Sequence, residues 1–538
     1  MNSFKPMLLT SLKSYDRAQF AKDVTAGIIV AIIALPLSIA LALASGVGPE
    51  AGIFTAIVAG FVISALGGSC VQIAGPTAAF ATIVAGIVAR DGLEGLMTAT
   101  ILAGVFLIIM GFCHFGSLIK FIPYTITTGF TSGIAVTIVI GQLKDFCGVT
   151  YPDGVKPIET MEKLKAFAEN FSTISPDALI VGGVSLAILI VSPLIFKKIP
   201  GSLIAVIAGI LMVQFLPLHV STIENLYTIS NALPTLHLPV FDMKLIQSAI
   251  PNAFTIAVLA AIESLLSCVV ADGMINSKHR SDTELIAQGA GNIASALFGG
   301  IPATGAIART AANIKNGGRT PVAGMVHSIT LVIVLVVLMP FAGMIPMPTI
   351  AAILFLVAYN MCQWRTFVHL VRTAPKSDII VLFTTFVLTV VFDLVVAIEI
   401  GMVLACLLFI KRMSEETHAD SWVYVDDDSP AVDEHLQKLP LEIRVYEITG
   451  PLFFGAADAI EHIVVKDFTK CLVLRMRSVP AIDSTAMNAL QNLTKLCESK
   501  GITLVFSHVN EQPMKVMKKS GFVELVGEEN FWANISDA

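Results

Sequence analysis

Long apolar runs make up most of this chain, and a chain of this kind can fold only in a lipid bilayer. Between residues 24 and 410 they follow one another, separated only by short segments that contain Gly, Pro or charged residues. A membrane-spanning helix needs roughly 20 apolar residues, because each residue rises about 1.5 Å through about 30 Å of hydrocarbon. Of the 538 residues, 55% are hydrophobic and only 14% are charged, which excludes an ordinary soluble globular protein. We therefore predict an all-α polytopic membrane domain.

The apolar runs divide into fourteen segments, seven in each half of the membrane domain. An odd number of spans per half means that the second half enters the membrane from the opposite side, which is the inverted repeat of many secondary transporters. The predicted segments lie near 23–44, 51–67, 76–90, 95–114, 118–141, 178–195 and 201–216, and near 252–271, 284–299, 304–316, 321–341, 347–361, 378–392 and 395–410.

The charges in the loops orient the domain. The first apolar run is too long for a signal peptide and is interpreted as the first span. With the N-terminus inside, most loop Lys and Arg residues fall on the cytoplasmic side, as the positive-inside rule requires. Examples are Arg280, Lys315, Arg319, Arg365 and Arg372. Both termini are therefore predicted to be cytoplasmic, in a bacterial inner membrane.

Composition also predicts the domain boundaries. Residues 1–22 form a basic cytoplasmic segment, 23–412 the transmembrane domain, 413–440 an acidic linker and 441–538 a small soluble α/β domain. The eight cysteines show no CxxC spacing and no pairing with histidines, so neither a metal site nor a disulfide framework is indicated. Since no nucleophile motif or nucleotide-binding loop is evident either, we expect no enzyme activity, no cofactor and no nucleic-acid partner.

Two odd segments at matching places in the two halves break the pattern of full spans. Ser64–Gly68 resembles Ser295–Gly300, and each is followed by a short extended piece with Gly and Pro and then by a helix too short to cross the bilayer. We predict half-helices that begin near the membrane midplane. Pro76 suits a first helical turn, where its missing N–H costs nothing. Thr77 and Thr304 would offer hydroxyls there.

Backbone of this kind is tolerated at membrane depth only when it is buried in protein or lines a watery cavity. A helix N-terminus carries roughly +0.5 of an elementary charge, so two such ends that meet form an anion site. The alternative, that both segments are plain loops between spans, is weakened by their paired and inverted occurrence. The predicted substrate site consists of Gly75, Pro76, Thr77, Ala303, Thr304, Gly305 and Arg309.

Two ionisable residues within predicted spans are the main candidates for a role in transport. Glu263, in the middle of the eighth segment, would be expensive as an unpaired carboxylate. It could be protonated, bind the proton or Na⁺ that drives transport, pair with a cation of the tenth segment, or only hold helices together. Arg309, one turn into the second half-helix, has a planar fork that suits oxyanions. It could instead pair with Glu263 or extend to the cytoplasmic surface.

Five stretches of the membrane domain are characteristic of one family: Gln72–Pro76, Glu263–Ser267, Gly299–Gly305, Ala308–Asn313 and Gly317–Pro321. In these residues the chain resembles the SulP sulfate permease family, and the resemblance covers nearly its whole length. The resemblance implies a fold like the uracil permease, with a core bundle (segments 1–4 and 8–11), a gate bundle (5–7 and 12–14) and elevator-like transport. It places the anion between the third and tenth segments and ties Glu263, with Ser267 in the same motif, to a coupling ion. Some sodium-coupled relatives carry Asp at the position of Glu263. The resemblance therefore does not decide whether the coupling ion is Na⁺ or H⁺.

Sulfate, bicarbonate and C4-dicarboxylates all remain candidate substrates, and a homodimer in the bilayer is expected from the resemblance. Ala308 departs from the Ser that animal members often place before the Arg. Two other functions stay open at this point. One is a nucleobase permease of the same fold, which Arg309 disfavours. The other is a membrane sensor that signals through its soluble domain.

Two stretches of the soluble domain are distinctive: Gly450–Gly455 near its start and Val479–Thr485 at the turn before a helix. In these residues it resembles the STAS domain. In related antagonists of anti-sigma factors a serine in this turn is phosphorylated, so Ser484 and Thr485 are candidate regulatory phosphorylation sites. The alternative is that one of the two hydroxyls only caps the helix. A cytoplasmic protein partner would bind through this domain.

Overall fold

The computed structural model describes residues 4–117, 123–152, 157–196, 200–239, 242–392, 394–421, 440, 442–535 and 537–538. The start of the fifth predicted segment (118–122) and most of the predicted linker (422–439) lie outside the described residues. The chain forms two compact units, Met1–Met402 and Val403–Ala538.

Seventeen helices occur in the described residues up to 415. They are α1 Met7–Ser11, α2 Arg17–Ala44, α3 Pro49–Leu66, α4 Ala81–Phe112, α5 Tyr124–Cys147, α6 Thr160–Glu169, α7 Pro176–Ile195, α8 Gly201–Phe215, α9 Ile223–Leu226, α10 Met243–Ile275, α11 Ser281–Leu297, α12 Ile307–Lys315, α13 Val322–Ala342, α14 Met347–Cys362, α15 Trp364–Thr373, α16 Lys376–Val391 and α17 Leu394–Glu415. Two short strands interrupt them, β1 Ala74–Gly75 and β2 Thr304–Gly305.

The fourteen predicted segments are confirmed. Helix α4 holds two of them, because Gly92 has a φ of 69° that separates a short first part from a longer second part. A φ in this range is readily adopted only by Gly. Within the described residues, eight helical stretches are long and apolar enough to cross a membrane by length and composition. Helix α2 continues as one helix through Pro36.

The packing of the helices follows the predicted core and gate bundles. Helix α4 packs on α10 and α11, and α13 packs on α2 and α3, while in the other bundle α5 packs on α14 and α16, and α7 on α8 and α14. Small residues allow the closest approaches. A Cβ atom at Gly104 of α4 would collide with the carbonyl of Gly289 in α11, and a Cβ atom at Gly289 would collide with that of Gly104.

A buried carboxylate joins the start of α2 to the loop between α12 and α13. Asp23 accepts hydrogen bonds from the Thr320 hydroxyl (2.6 Å), the Arg319 backbone N–H (2.9 Å) and the Tyr15 hydroxyl (3.0 Å). Burial, together with the nearby Asp23, raises the pKa of Tyr15 to about 12, so this phenol remains a donor at neutral pH. The contacts hold α2 against the end of the second half-helix.

The second unit contains a five-stranded sheet in the order β3-β4-β5-β6-β7. Strand β3 (His418–Ser421) is antiparallel to β4 (Ile443–Thr449), whereas β5 (Cys471–Ser478), β6 (Thr503–Ser507) and β7 (Phe531–Trp532) continue in parallel. Helices α18 Asp458–Glu461, α19 Ser484–Ser499, α20 Glu511–Lys519 and α21 Phe522–Val526 complete this unit. Leu474, Leu490 and Phe506 are among its fully buried core residues. The sequence prediction of a small α/β domain is confirmed.

The N-cap of α19 differs from the one predicted. Asp483, rather than Ser484 or Thr485, caps this helix, because its carboxylate accepts the backbone N–H groups of Thr485 and Ala486, both at 2.9 Å. An aspartate has two acceptor oxygens, and the second accepts the N–H of Phe454 at 2.8 Å. Both hydroxyls therefore lie exposed on the first turn of the helix.

Candidate functional site

The two unwound segments, residues 69–77 and 301–306, meet as a pair of antiparallel strands inside the core bundle. Ala74 pairs with Gly305, and Gly75 pairs with Thr304. The N–H of Ala306 extends the pairing with a 2.9 Å bond to the carbonyl of Ile73. The two segments thus satisfy each other's backbone groups, which lipid could not do.

Glycine is needed on both strands because side chains cross them closely. A Cβ atom at Gly75 would collide with Nη1 of Arg309, and a Cβ atom at Gly305 would collide with Nε2 of Gln72. Arg309 of the second half thus lies against the backbone of the first strand, and Gln72 of the first half lies against the backbone of the second strand. The sequence marks both positions as Gly, but the pairing itself was not predicted.

A half-helix leaves each strand. On the first side a 3₁₀ turn, Ala78–Phe80, leads into α4, and on the second side α12 begins at Ile307. The preceding residues, Thr77 and Ala306, make no side-chain cap. The positive ends of two helices therefore lie beside the strand pair without a carboxylate or hydroxyl cap, which is the arrangement that binds anions. We call these two ends, with Thr77 and Ala306–Ala308, the candidate cradle.

The placement of Pro76 and of the threonines corrects the sequence prediction. Pro76 lies in the extended segment before the helix and not in its first turn, and its carbonyl serves as an acceptor. The hydroxyl of Thr77 bonds to Glu263 instead of capping the helix, and that of Thr304 donates to the carbonyl of Ala260 at 2.9 Å. Tertiary partners on α10 thus replace the local contacts that sequence alone suggested.

Exposure divides the residues of the two strands and of the helix ends beside them into two groups. Gly75, Pro76, Ala303, Thr304 and Gly305 are buried. Thr77 and Ala306 are half-buried, and Ile307 and Ala308 are exposed. An anion that approaches the half-helices would therefore reach Thr77 and Ala306–Ala308, while the strands form the closed wall behind them.

Arg309 belongs to the buried group. Its side chain is 1% exposed, and its Nη2 donates to the carbonyl of Pro76 (3.1 Å) and to the hydroxyl of Ser38 in α2 (3.4 Å). Its Nε and Nη1 have no hydrogen-bond partner among the described residues. None of the ion pairs found in the described part of the chain involves Arg309, so neither a pair with Glu263 nor an extension to the surface is observed.

An unpaired guanidinium in this position has an electrostatic consequence. A buried charge without a counterion is costly, and an anion placed nearby would reduce that cost. Arg309 stands behind the strands and does not reach the open side of the candidate cradle. Arg309 would therefore attract an anion through its electrostatic field across the strand pair. This attraction adds to that of the two helix dipoles.

Glu263 lies on the open side. One of its carboxylate oxygens accepts the hydroxyl of Thr77 at 2.9 Å, and the residue is only partly buried. Ser267, one turn further along α10, donates to the hydroxyl of Thr310 at 3.4 Å, and no hydrogen bond joins it to Glu263 in the part of the chain that the structure describes. The structure thus brings Thr77 and Glu263 together and places Ser267 with the wall behind the strands.

Polar residues of α11 hold both unwound segments, and sequence reasoning missed them. The carboxylate of Glu284 accepts the N–H groups of Gly68 (2.9 Å) and Ser69 (3.2 Å), and also the side chains of Gln288 (2.9 Å) and Ser264 (3.4 Å). Its four acceptor contacts suit an ionised carboxylate. The available signal was the spacing of Glu284, Gln288 and Asn292, which repeats every four residues inside an otherwise apolar predicted span.

The second unwound segment is held by neutral groups. The amide of Asn292 accepts the N–H of Ala303 and donates to its carbonyl, both at 2.8 Å. The hydroxyls of Ser295 and Thr55 bond to the backbone of Ile301 at 2.8 and 2.7 Å. Two helices of different halves, α11 and α3, thus fix this segment.

Comparison with known proteins adds the family. Residues 20–385 match the model of the sulfate permease family, and residues 438–538 match the STAS domain. The Bacillus subtilis (strain 168) protein YvdB, named as a sulfate transporter, is 38% identical over 97% of this chain and 97% of its own. The bicarbonate transporter BicA of Picosynechococcus is 34% identical over 87% of this chain and 85% of its own.

A solved structure shares the fold. The murine Solute Carrier 26 family member A9, an anion transporter in the inward-facing state, superimposes with a TM-score of 0.87 at 18% identity, over 99% of this chain and 93% of that one. These relatives are named as transporters and not as enzymes. The matches favour an anion transporter over a nucleobase permease. Within the described residues, no group of three or more His, Cys, Asp or Glu side chains could hold a metal ion.

Proposed function

The chain belongs to the sulfate permease family, and we propose that it moves a small anion across the plasma membrane by secondary active transport. The observation that carries the proposal is the meeting of two half-helix N-termini beside the buried and unpaired Arg309. Three separate sources of positive potential converge there in a low-dielectric interior, where electrostatic interactions are strong.

The substrate is a sulfate, bicarbonate or C4-dicarboxylate ion. Backbone N–H groups of two helix ends suit the oxygens of any of the three, and the hydroxyl of Thr77 lies at the open side. The names of the relatives support sulfate and bicarbonate. A neutral nucleobase would leave the charge of Arg309 without a counterion.

Glu263 couples the anion to Na⁺ or H⁺. An ionised carboxylate next to the candidate cradle repels an anion, and binding of a cation or proton to it removes this repulsion. Linkage then requires that the bound anion increase the affinity for the cation by the same factor. The hydroxyl of Thr77 connects the two sites, because it lies at the start of the first half-helix and donates to Glu263.

The core bundle would carry the site as one body in an elevator-like movement. Both unwound segments are bonded to α10 or α11 through Thr77, Thr304, Glu284 and Asn292, and all of these residues belong to that bundle. The bonds would have to break for one segment to move without the other. A movement of the whole bundle against the gate costs none of them.

Uptake into proteoliposomes tests the proposal. Labelled sulfate, bicarbonate and succinate are offered in turn, each with an inward Na⁺ gradient, an inward H⁺ gradient or no gradient. We expect accumulation of one anion under one gradient. Absence of flux for all three anions under every condition would contradict transport and favour the membrane sensor.

Two further proposals concern the assembly and the STAS domain. We propose a homodimer, which light scattering of the detergent-solubilised protein would measure, and a cytoplasmic protein partner that binds the STAS domain.

Ser484 and Thr485 are exposed on the first turn of α19, where helix N–H groups favour a phosphate. Phosphopeptide mapping that detects neither hydroxyl modified under any growth condition would contradict regulation at this turn.

A further inference from the structure

Helix α15 is a short amphipathic helix between two gate spans. It covers the ten residues Trp364–Thr373 and joins the end of α14 to the start of α16, so it lies at the membrane end of both spans. At about 100° per residue its side chains fall into three sectors. None of its residues is fully buried.

The first sector faces the protein. Phe367 packs edge-on against Phe383 and Phe386 of α16, with ring centroids 5.6 and 5.4 Å apart, respectively. Leu370 and Val371 on the same side are half-buried. These contacts hold the helix along the end of the gate bundle.

The second sector is apolar and exposed. Trp364 and Val368, four residues apart, are 46% and 37% exposed. The indole N–H of Trp364 donates to the hydroxyl of Tyr359, at 3.2 Å, and Tyr359 is itself 59% exposed. Trp and Tyr side chains with one apolar and one polar end concentrate at the boundary between hydrocarbon and headgroups.

The third sector is basic. Arg365, His369 and Arg372 follow one another at helical spacing, and Lys376 stands at the start of α16. From residue 361 to residue 377 the sequence contains no Asp or Glu. In the described residues none of Arg365, Arg372 and Lys376 forms an ion pair with an acid. Arg365 contacts the face of Trp364, with 5.6 Å between the guanidinium carbon and the ring centroid.

We propose that Arg365, Arg372 and Lys376 on and beside α15 bind the headgroups of anionic phospholipids. The apolar flank of Trp364 and Val368 would enter the acyl-chain region, and the three cations would bind phosphate groups in the same leaflet. A free phosphate ion would contact the three cations but not the apolar flank, whereas a phospholipid would contact both. The ligand is therefore a lipid. The gate bundle would thereby be anchored at one membrane surface.

Trp fluorescence tests the proposal directly. The sequence has three Trp residues, so the double variant Trp422→Phe, Trp532→Phe leaves Trp364 as the only reporter. The full chain is reconstituted in vesicles with brominated phosphatidylglycerol or, at equal mole fraction, brominated phosphatidylcholine. Basic residues near an anionic surface attract anionic lipids, so we expect the anionic lipid to quench at least about threefold more effectively near 0.1 M salt. The preference should vanish at about 1 M salt, where charges are screened within roughly 3 Å.

A charge-matched pair of variants completes the test. Arg365→Gln, Arg372→Gln, Lys376→Gln should remove the preference for the anionic lipid. Lys515→Gln, Lys518→Gln, Lys519→Gln, which removes the same charge from α20, should retain it. Equal quenching by both lipids in the parent protein, or a preference that persists in the α15 variant, would overturn the proposal. So would no quenching by either lipid, because Trp364 would then lie away from the membrane.

Discussion

The two unwound segments occupy equivalent positions in the two halves, yet different chemistry holds them. The first is fixed by a buried carboxylate, Glu284, which accepts the two backbone N–H groups of Gly68 and Ser69. The second is fixed by the neutral amide of Asn292, which bonds both backbone groups of Ala303. An inverted repeat therefore preserves the geometry of the strand pair without preserving the groups that secure it.

The two segments also differ in what they present to a ligand. The first ends in Thr77, whose hydroxyl contacts the carboxylate of Glu263, and the second ends in the apolar residues Ala306–Ala308 before the buried Arg309. The proposed cation-coupling group, Glu263 of α10, thus contacts the first segment, whereas the fixed positive charge of Arg309 follows the second segment along the chain. Substitutions made in matched pairs test this difference between the two segments.

The largest expected effect is on stability. Glu284→Ala leaves two backbone N–H groups and two side-chain donors without their acceptor, and Asn292→Ala leaves one N–H and one carbonyl. At about 1–3 kcal/mol per buried unsatisfied group, we expect a loss of roughly 4 kcal/mol or more for Glu284→Ala and about half of that for Asn292→Ala. Thermal unfolding in detergent measures both. Glu169→Ala, at an exposed position, is the control, and an Asn292→Ala variant less stable than Glu284→Ala would contradict the comparison.

Among the expected effects on anion transport, the loss of the positive charge of Arg309 should be the largest. Removal of a preorganised positive group from a water-excluded site costs on the order of 10²-fold, so Arg309→Ala should reduce anion uptake by about that factor. The control is Arg90→Ala, because Arg90 is exposed and its Nε donates only to the carbonyl of Gly86. Wild-type anion affinity in the Arg309 variant would remove this residue from the site.

Glu263→Gln should separate anion movement from the driving gradient. The neutral amide neither repels the anion nor binds the cation, so uptake down an anion gradient should continue while stimulation by Na⁺ or H⁺ disappears. Uptake is measured with and without the gradient that drives the wild-type protein. Glu94→Gln, at an exposed position on α4, should keep full stimulation. Gradient-dependent accumulation in the Glu263 variant would place coupling elsewhere.

The smallest effect distinguishes the two threonines. Thr77→Val removes a hydrogen bond to a carboxylate, which contributes about 1.5–3 kcal/mol, whereas Thr304→Val removes one to the Ala260 carbonyl. A carboxylate that loses a hydrogen-bond donor binds a proton or cation more tightly, so we expect Thr77→Val to lower the half-saturating cation concentration about tenfold and Thr304→Val to leave it unchanged. Equal shifts in both variants would show that the two segments share the coupling function.

The difference between the paired segments also shows where sequence reasoning succeeded and where it failed. The number of spans, their limits and the two interruptions followed from composition, because burial in lipid and helix breaking leave local patterns. Glu263 and Arg309 were visible as charges within apolar runs. The roles of Glu284 and Asn292 were not, because a polar residue in a span gives no local indication of the backbone group that it contacts.

From the sequence alone we could predict fourteen membrane segments, two helices that begin within the bilayer, and a carboxylate and a guanidinium near them. These properties depend on residues adjacent in the chain. The tertiary structure was needed to show that β1 pairs with β2, that Thr77 bonds to Glu263 and that Arg309 bonds to Pro76 and Ser38. The contacts of Arg309 join residues 233 and 271 positions apart. Only helix packing brings such residues together, and side-chain direction within that packing decides which pairs form.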